Sequence, residues 1–326
     1  MSRFSLIYLS SFFLLISLLS FINILYSYYF NLYLNIDTYV YTLITSLIFS
    51  VPAFIKKRDE KKTNIYEKIS TIILGYLLIP LVISIPYFLS IYNISFLDCY
   101  FESISGFTST GFTIFSNIKH LDQSLILWRS TSQWIGGLYF LFSIILLIDI
   151  FDKNIKNNLT DFLSFDSNEI LKQSFKIVIL YSLLTLFIFF VLKIINIRNF
   201  NAFNLSLTLI SSGGFLPVNE LSSIIKDNTQ IIIFSLLMLL SFFSIFFSYN
   251  LLFIKSKNIN FFYEDLHLIF YYLAVVAIFL LFFSFNSDFL KNFLSLSSSM
   301  SNIGFSLNYE QPDLNIVYLI LVIIGG

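Results

Sequence analysis

Charge is scarce in this sequence. Only 12% of its 326 residues are Asp, Glu, Lys or Arg, about half the share usual in soluble domains. The 19 basic residues cancel the 19 acidic ones, so no net field draws nucleic acid, and no nucleic-acid partner is expected. Cysteine is nearly absent. Cys99 stands alone, which excludes an internal disulfide framework and a multi-thiolate metal site. The two histidines, His120 and His267, lie far apart and lack ligand spacing, so both read as interfacial residues. Asp161, Asp166 and Glu169 share one loop. A membrane prenyltransferase would instead need paired Asp motifs to hold Mg²⁺ and diphosphate, and no second acidic motif exists. No enzyme and no cofactor is expected.

What fills the chain is apolar surface, at 57% of residues. It falls in runs at about 4–26, 37–55, 69–92, 125–150, 174–196, 229–254 and 266–285. Crossing a bilayer core takes about 20 such residues per helix. A last run, 314–326, supplies only 13. The fold class expected is therefore all-α integral membrane, with the lipid bilayer as surroundings. The run from Phe4 is too long for a signal-peptide core and has no small-residue cleavage site, so it reads as a first span. The many Phe and Tyr residues come with abundant Asn, Ile and Lys, and aromatic stripes carry little weight against that background.

Lys and Arg orient the spans. Arg3, the loop 56–68 with its cluster Lys56–Lys62, the loop 151–176 and the pair Lys255 and Lys257 place 13 of the 19 basic residues on one side. The richer side is expected in the cytoplasm. This predicts a multi-pass protein of the cell (inner) membrane with a cytoplasmic N-terminus. The cluster Lys56–Lys62 needs no further role than that. On the other side, Arg129 is placed to snorkel to the outer interface.

Three connections on the outer side are long, about 93–124, 197–228 and 286–313, and each contains a glycine followed by phenylalanine. The pairs are Gly111-Phe112, Gly214-Phe215 and Gly304-Phe305, with the glycines 103 and 90 residues apart. A unit of span, semi-polar loop and span thus recurs, which predicts a pseudo-symmetric bundle. About ten residues before each glycine fit a half-helix, such as Asp98–Phe107. A half-helix followed by extended backbone survives at membrane depth only when buried or lining a water-filled cavity. The residues that follow it are small, hydroxyl-bearing or glycine, and leave their carbonyls accessible. Rings of such carbonyls replace the hydration shell of K⁺. The candidate ligands are the backbone oxygens of Ser109, Thr110 and Gly111, of Ser212, Gly213 and Gly214, and of Asn302, Ile303 and Gly304. Glu102, on the first half-helix, reads equally well as a packing carboxylate or as an organiser of the filter, since carboxylates inside a membrane are usually functional.

The run Phe101-Glu102-Ser103-Ile104-Ser105-Gly106-Phe107-Thr108-Ser109-Thr110-Gly111-Phe112 resembles the first pore loop of the Trk/Ktr/HKT superfamily of potassium transporters. Trp128-Arg129-Ser130-Thr131-Ser132-Gln133-Trp134-Ile135-Gly136-Gly137 is similar to the signature opening the next helix in Trk-type subunits. Ser211–Phe215, preceded by Ala202–Ile210, resembles the second filter. Ser301–Phe305 is a weaker third, because the family usually has Thr where Asn302 and Ile303 stand. Ile323-Ile324-Gly325-Gly326 looks like the start of the family's Gly-rich third-repeat helix.

The resemblance implies two N-terminal helices followed by helix–pore loop–helix repeats around one pore. On that pattern the expected divisions are 1–62 for the N-terminal pair, 63–160 and 161–258 for two repeats, and 259–326 for a partial third. It also implies K⁺ uptake with K⁺ as the transported ion. The partners implied are a second copy in a homodimer, a cytosolic nucleotide-binding regulatory subunit (TrkA/KtrA-like), and a separate chain supplying the fourth repeat. The alternative expectation is a non-conducting fragment of a split or decaying Trk-type gene.

Overall fold

The computed structural model describes residues 3–55, 64–147, 170–242 and 289–307, with isolated helical positions between 267 and 323. The basic loop 56–63, the acidic trio Asp161, Asp166 and Glu169, and most of the expected runs 266–285 and 314–326 lie outside the described residues. The chain falls into two compact units. One is Met1–Phe151 with Gly213–Asn219, and the other is Asp152–Ser212 with Glu220–Gly326.

The first unit contains α1 (Arg3–Tyr29), α2 (Ile36–Ile55), α3 (Ile65–Ile83), α4 (Ile85–Phe88), α5 (Phe96–Phe107) and α6 (Gln123–Leu147). The second contains α7 (Ile170–Ile194), α8 (Asn199–Ile210), α9 (Asn228–Phe242) and α10 (Phe289–Met300). No strand occurs among the described residues. The stretches Ile7–Tyr29, Tyr33–Pro52, Ile65–Phe88 and Ile177–Ile194 are long and apolar enough to cross a membrane. With α6 at 25 residues, or about 37 Å at 1.5 Å per residue, they make this a multi-pass helical membrane protein.

Lipid-facing helices gain little from apolar contact with each other, so small residues decide which faces meet. On α1 these are Ser10, Ser17, Ser20 and Ser27, and on α2 they are Thr38, Thr42, Ser46 and Ser50, all buried. The α2 set recurs every four residues and so forms one stripe. Most of these hydroxyls donate to a carbonyl one turn back, as Ser17 does to Leu14 and Thr42 to Thr38. Ser20 instead crosses between helices, donating to the Tyr39 carbonyl at 2.6 Å.

The expected span 69–92 differs from what forms. The helix starts earlier, at Ile65, and breaks at Ser84. Asn64 donates its N–H to the Glu67 carboxylate, which caps the start. Pro86 lies in the first turn of α4, where its missing N–H costs nothing, so the chain restarts there as a short helix.

Helix α6 organises the first unit. Trp128 Nε1 donates to the Ile83 carbonyl at 3.0 Å, and the Tyr139 hydroxyl donates to the Ile72 carbonyl at 3.0 Å. The Tyr139 ring fits because Gly75 lacks a side chain, and Gly136 lets α6 approach the carbonyl of Phe107. In the second unit α7 lies against α8, and α9 against α10. Gln230 fixes the start of α9 by accepting from the N–H of Lys226 and donating to the Ile195 carbonyl.

Candidate functional site

Three short helices, α5, α8 and α10, each run twelve residues, or about 18 Å, too short to span a bilayer. Two begin slightly earlier than the half-helices read from sequence, at Phe96 and Asn199. Ser95 explains the first, since its hydroxyl accepts from the N–H of Asp98 as an N-cap. Many of their polar residues are buried. Glu102, Ser103, Asn204, Ser206, Thr208, Asn292 and Ser297 are all at most 2% exposed.

The ends of the three helices repeat one another residue for residue. The residue just past each end, Thr108, Ser211 or Ser301, turns its hydroxyl back to the carbonyl four residues earlier, at 2.8, 3.0 and 2.8 Å. The next residue is left-handed in every case, with Ser109 at φ 55, Ser212 at φ 51 and Asn302 at φ 54. Two residues on, the glycine is left-handed too, with Gly111 at φ 82, Gly214 at φ 78 and Gly304 at φ 81. In the first loop the N–H of Ser109 bonds the Gly106 carbonyl and that of Thr110 the Ser105 carbonyl. In the third loop Asn302 bonds Ser299 and Ile303 bonds Ser298. This is the Schellman arrangement, which ends a helix while keeping its last amides paired. A left-handed L-residue costs about 1–2 kcal/mol, so Ser109, Ser212 and Asn302 are held there by these bonds.

Within the first unit the first loop meets the start of the second. A side chain at Gly111 would lie 2.9 Å from the Gly213 carbonyl oxygen. Gln133, on α6, bonds both sides of this crossing point. Its Nε2 donates to the Gly213 carbonyl, and its Oε1 accepts from the N–H of Phe215 at 3.3 Å. Further out, Asn219 donates to the Asn117 side chain at 2.9 Å and accepts from the N–H of Ile118 at 2.7 Å. Tyr92 accepts from the N–H of Asp122 at 2.7 Å and donates to the His120 carbonyl. Partial burial pushes the Tyr92 phenol above its ordinary pKa.

Behind the loops lies an ion pair. Arg129 Nε donates to Glu102 Oε1 at 2.8 Å, and the two side chains are 1% and 0% exposed. Arg129 therefore does not snorkel to the interface. It points inward, where Glu102 offsets its charge. Its Nη2 donates to Thr113 Oγ1 at 3.0 Å and its Nη1 to the Leu216 carbonyl at 3.4 Å. The guanidinium also lies 4.3 Å from the ring centroid of Phe215. Glu102 accepts further bonds from the Thr113 hydroxyl at 3.0 Å and the N–H of Ile114 at 2.9 Å. Arg129 thus contacts the segment following Gly111 and the segment following Gly214.

The nine residues read as carbonyl ligands lie as follows. Ser109, Thr110, Gly111, Gly213 and Gly214 share the first unit. Ser212 belongs with the second unit, as do Asn302, Ile303 and Gly304. Sequence reasoning assigned no role to Gln133, Thr113, Asn117 or Asn219. The polar run Arg129–Gln133 inside a spanning helix was the available signal for Gln133. Among the described residues no cluster of His, Cys, Asp and Glu could hold a resident metal.

No family model matches this chain. An uncharacterized cation transporter of Methanocaldococcus jannaschii is 28% identical over 221 residues, which cover 64% of this chain and 44% of that protein. The Trk system potassium uptake protein TrkI of Halomonas elongata is 42% identical over 55 residues, or 17% of this chain and 11% of that protein. The crystal structure of the potassium transporter TrkH from Vibrio parahaemolyticus matches with a TM-score of 0.72 at 18% identity, over 99% of this chain and 70% of that one. The chain thus spans less than half of the first relative. These proteins are transporters, not enzymes, and the resemblance to Trk-type subunits holds in fold and in sequence.

Proposed function

We propose that this chain, Trk-type in fold and related in sequence to Trk potassium uptake proteins, carries K⁺ across the cell (inner) membrane through a carbonyl-lined filter. One observation carries the reading. Three twelve-residue helices end in the same left-handed, intervening, left-handed-glycine backbone. Alternating the sign of φ along a short strand brings successive carbonyls toward one side. The C-termini of the helices add partial negative charge beside them. Carbonyl dipoles so arranged suit a dehydrated monovalent cation, for which they replace water.

In this reading the oxygens of Ser109–Gly111, Ser212–Gly214 and Asn302–Gly304 are the ligands, and no cofactor takes part. The N-terminus lies in the cytoplasm, as the basic loops favour. A homodimer and a cytosolic nucleotide-binding regulatory subunit are part of the same proposal and rest on the resemblance.

The test is Rb⁺ uptake in cells lacking their own K⁺ importers, with the Gly111→Ser variant alongside. Uptake that the variant lowers is expected. A chain shown to be in the membrane that carries no Rb⁺ overturns the reading for this chain by itself.

A further inference from the structure

Resting on that filter reading, we infer that Arg129, held by Glu102, is a positioning residue that fixes the gap between the first and second filter strands and so sets ion preference. Arg129 is the seventh residue of α6, and its guanidinium covers Phe215, the residue after the second filter glycine. The seventh residue of α9 is Phe234, which stacks on Phe305, the residue after the third filter glycine, at 6.0 Å and 25°. The inner helix of one repeat therefore seats the Gly-Phe of the next in both cases, once with charge and once without. The carboxylate follows the same division. Glu102 stands nine residues before Gly111, where Leu205 and Ser295 stand before Gly214 and Gly304.

Aromatic packing thus suffices to seat such a loop. A buried ion pair is no more stabilising than packed apolar residues of the same volume, so packing alone does not account for its presence. It adds direction and reach. The fork of Arg129 bonds Glu102, Thr113 and Leu216 at once, while Glu102 holds the N–H of Ile114. One rigid planar group thereby ties the strand leaving Gly111 to the strand leaving Gly214. A lysine keeps the charge but has no fork and no stacking plane. Discrimination between K⁺ and Na⁺ depends on how many carbonyls surround the ion and how far apart they are held. A brace that sets strand spacing acts on that quantity.

The experiment compares wild type with Arg129→Lys and Glu102→Gln, reading the Na⁺ concentration that halves Rb⁺ uptake. Both variants are expected to lower it, Arg129→Lys by about tenfold, which corresponds to about 1.4 kcal/mol of lost discrimination. Variants that carry less Rb⁺ but compete with Na⁺ as wild type does would overturn the inference, because a merely structural role moves amount and not preference. For variants that reach the membrane poorly, the purified chain is melted in KCl and in NaCl. Wild type is expected to melt higher in KCl. Arg129→Lys is expected to lose that difference between the two salts, and a retained difference overturns the inference. A wild-type chain indifferent to the two salts and inactive in uptake overturns the filter reading itself, and this inference with it.

Discussion

Gly111 is limited in two independent ways. Its φ of 82 disfavours any L side chain, and a Cβ would press on the Gly213 oxygen at 2.9 Å. Gly111→Ser therefore disturbs two loops at once, and on the proposed reading we expect reduced K⁺ preference, measured as Na⁺ competition against Rb⁺ uptake. Gln133 is limited by its partners. Replacing it with Leu removes the donor that Gln133 offers to the buried Gly213 carbonyl, at about 1–3 kcal/mol. A lower melting temperature than that of the more exposed variant Asn219→Ala is expected, and equal values would refute the ranking. At this scale the sequence was partly legible. The three left-handed glycines could be located, because Gly followed by Phe recurs. The direction of Arg129 could not be, because its partner Glu102 stands 27 residues away and nothing local announces the pairing.

The short helices are built as units with a start and a stop. Ser95 begins α5 through the N–H of Asp98 at 3.2 Å. Ser95→Ala should cost about 1 kcal/mol, read by chemical denaturation in detergent, and Ser95→Thr, which keeps the hydroxyl that also donates to the Asp98 carboxylate, should restore most of it. The stop is the Schellman turn with its back-bonded hydroxyl. The hydroxyl residues at 108, 211 and 301 were visible in sequence, and so were the three glycines. The left-handed residue between them was not, because Ser, Ser and Asn share no obvious signature. Boundaries slipped where capping decides them. The start of α3 moved to Ile65 because Asn64 and Glu67 pair, and its end moved because Pro86 restarts the chain after Ser84.

For the whole molecule, apolar runs sufficed to read a multi-pass helical protein, since bilayer thickness sets helix length. They do not announce that Gly213–Asn219 sits in the first compact unit while its chain neighbours on either side sit in the second. Orientation is the prediction that belongs here. Cys99 is buried, so single cysteines placed elsewhere report cleanly on sidedness. A cysteine at Lys119 should react with an impermeant thiol reagent added to intact cells, and one at Lys57 should react only after the membrane is opened. The reverse pattern would invert the topology.

The ion pair behind the loops has one more property. Arg129 and Glu102 are 2.8 Å apart and closed to solvent. Dissolved ions screen charges that water reaches, within about 8–10 Å at physiological strength, and they do not come between these two. A surface pair holding the same strands would slacken whenever the medium turned salty. Here the spacing between the segment leaving Gly111 and the segment leaving Gly214 stays constant through osmotic upshift and dilution. On the proposed filter reading, the part that weighs one cation against another is insulated from the concentrations it meters.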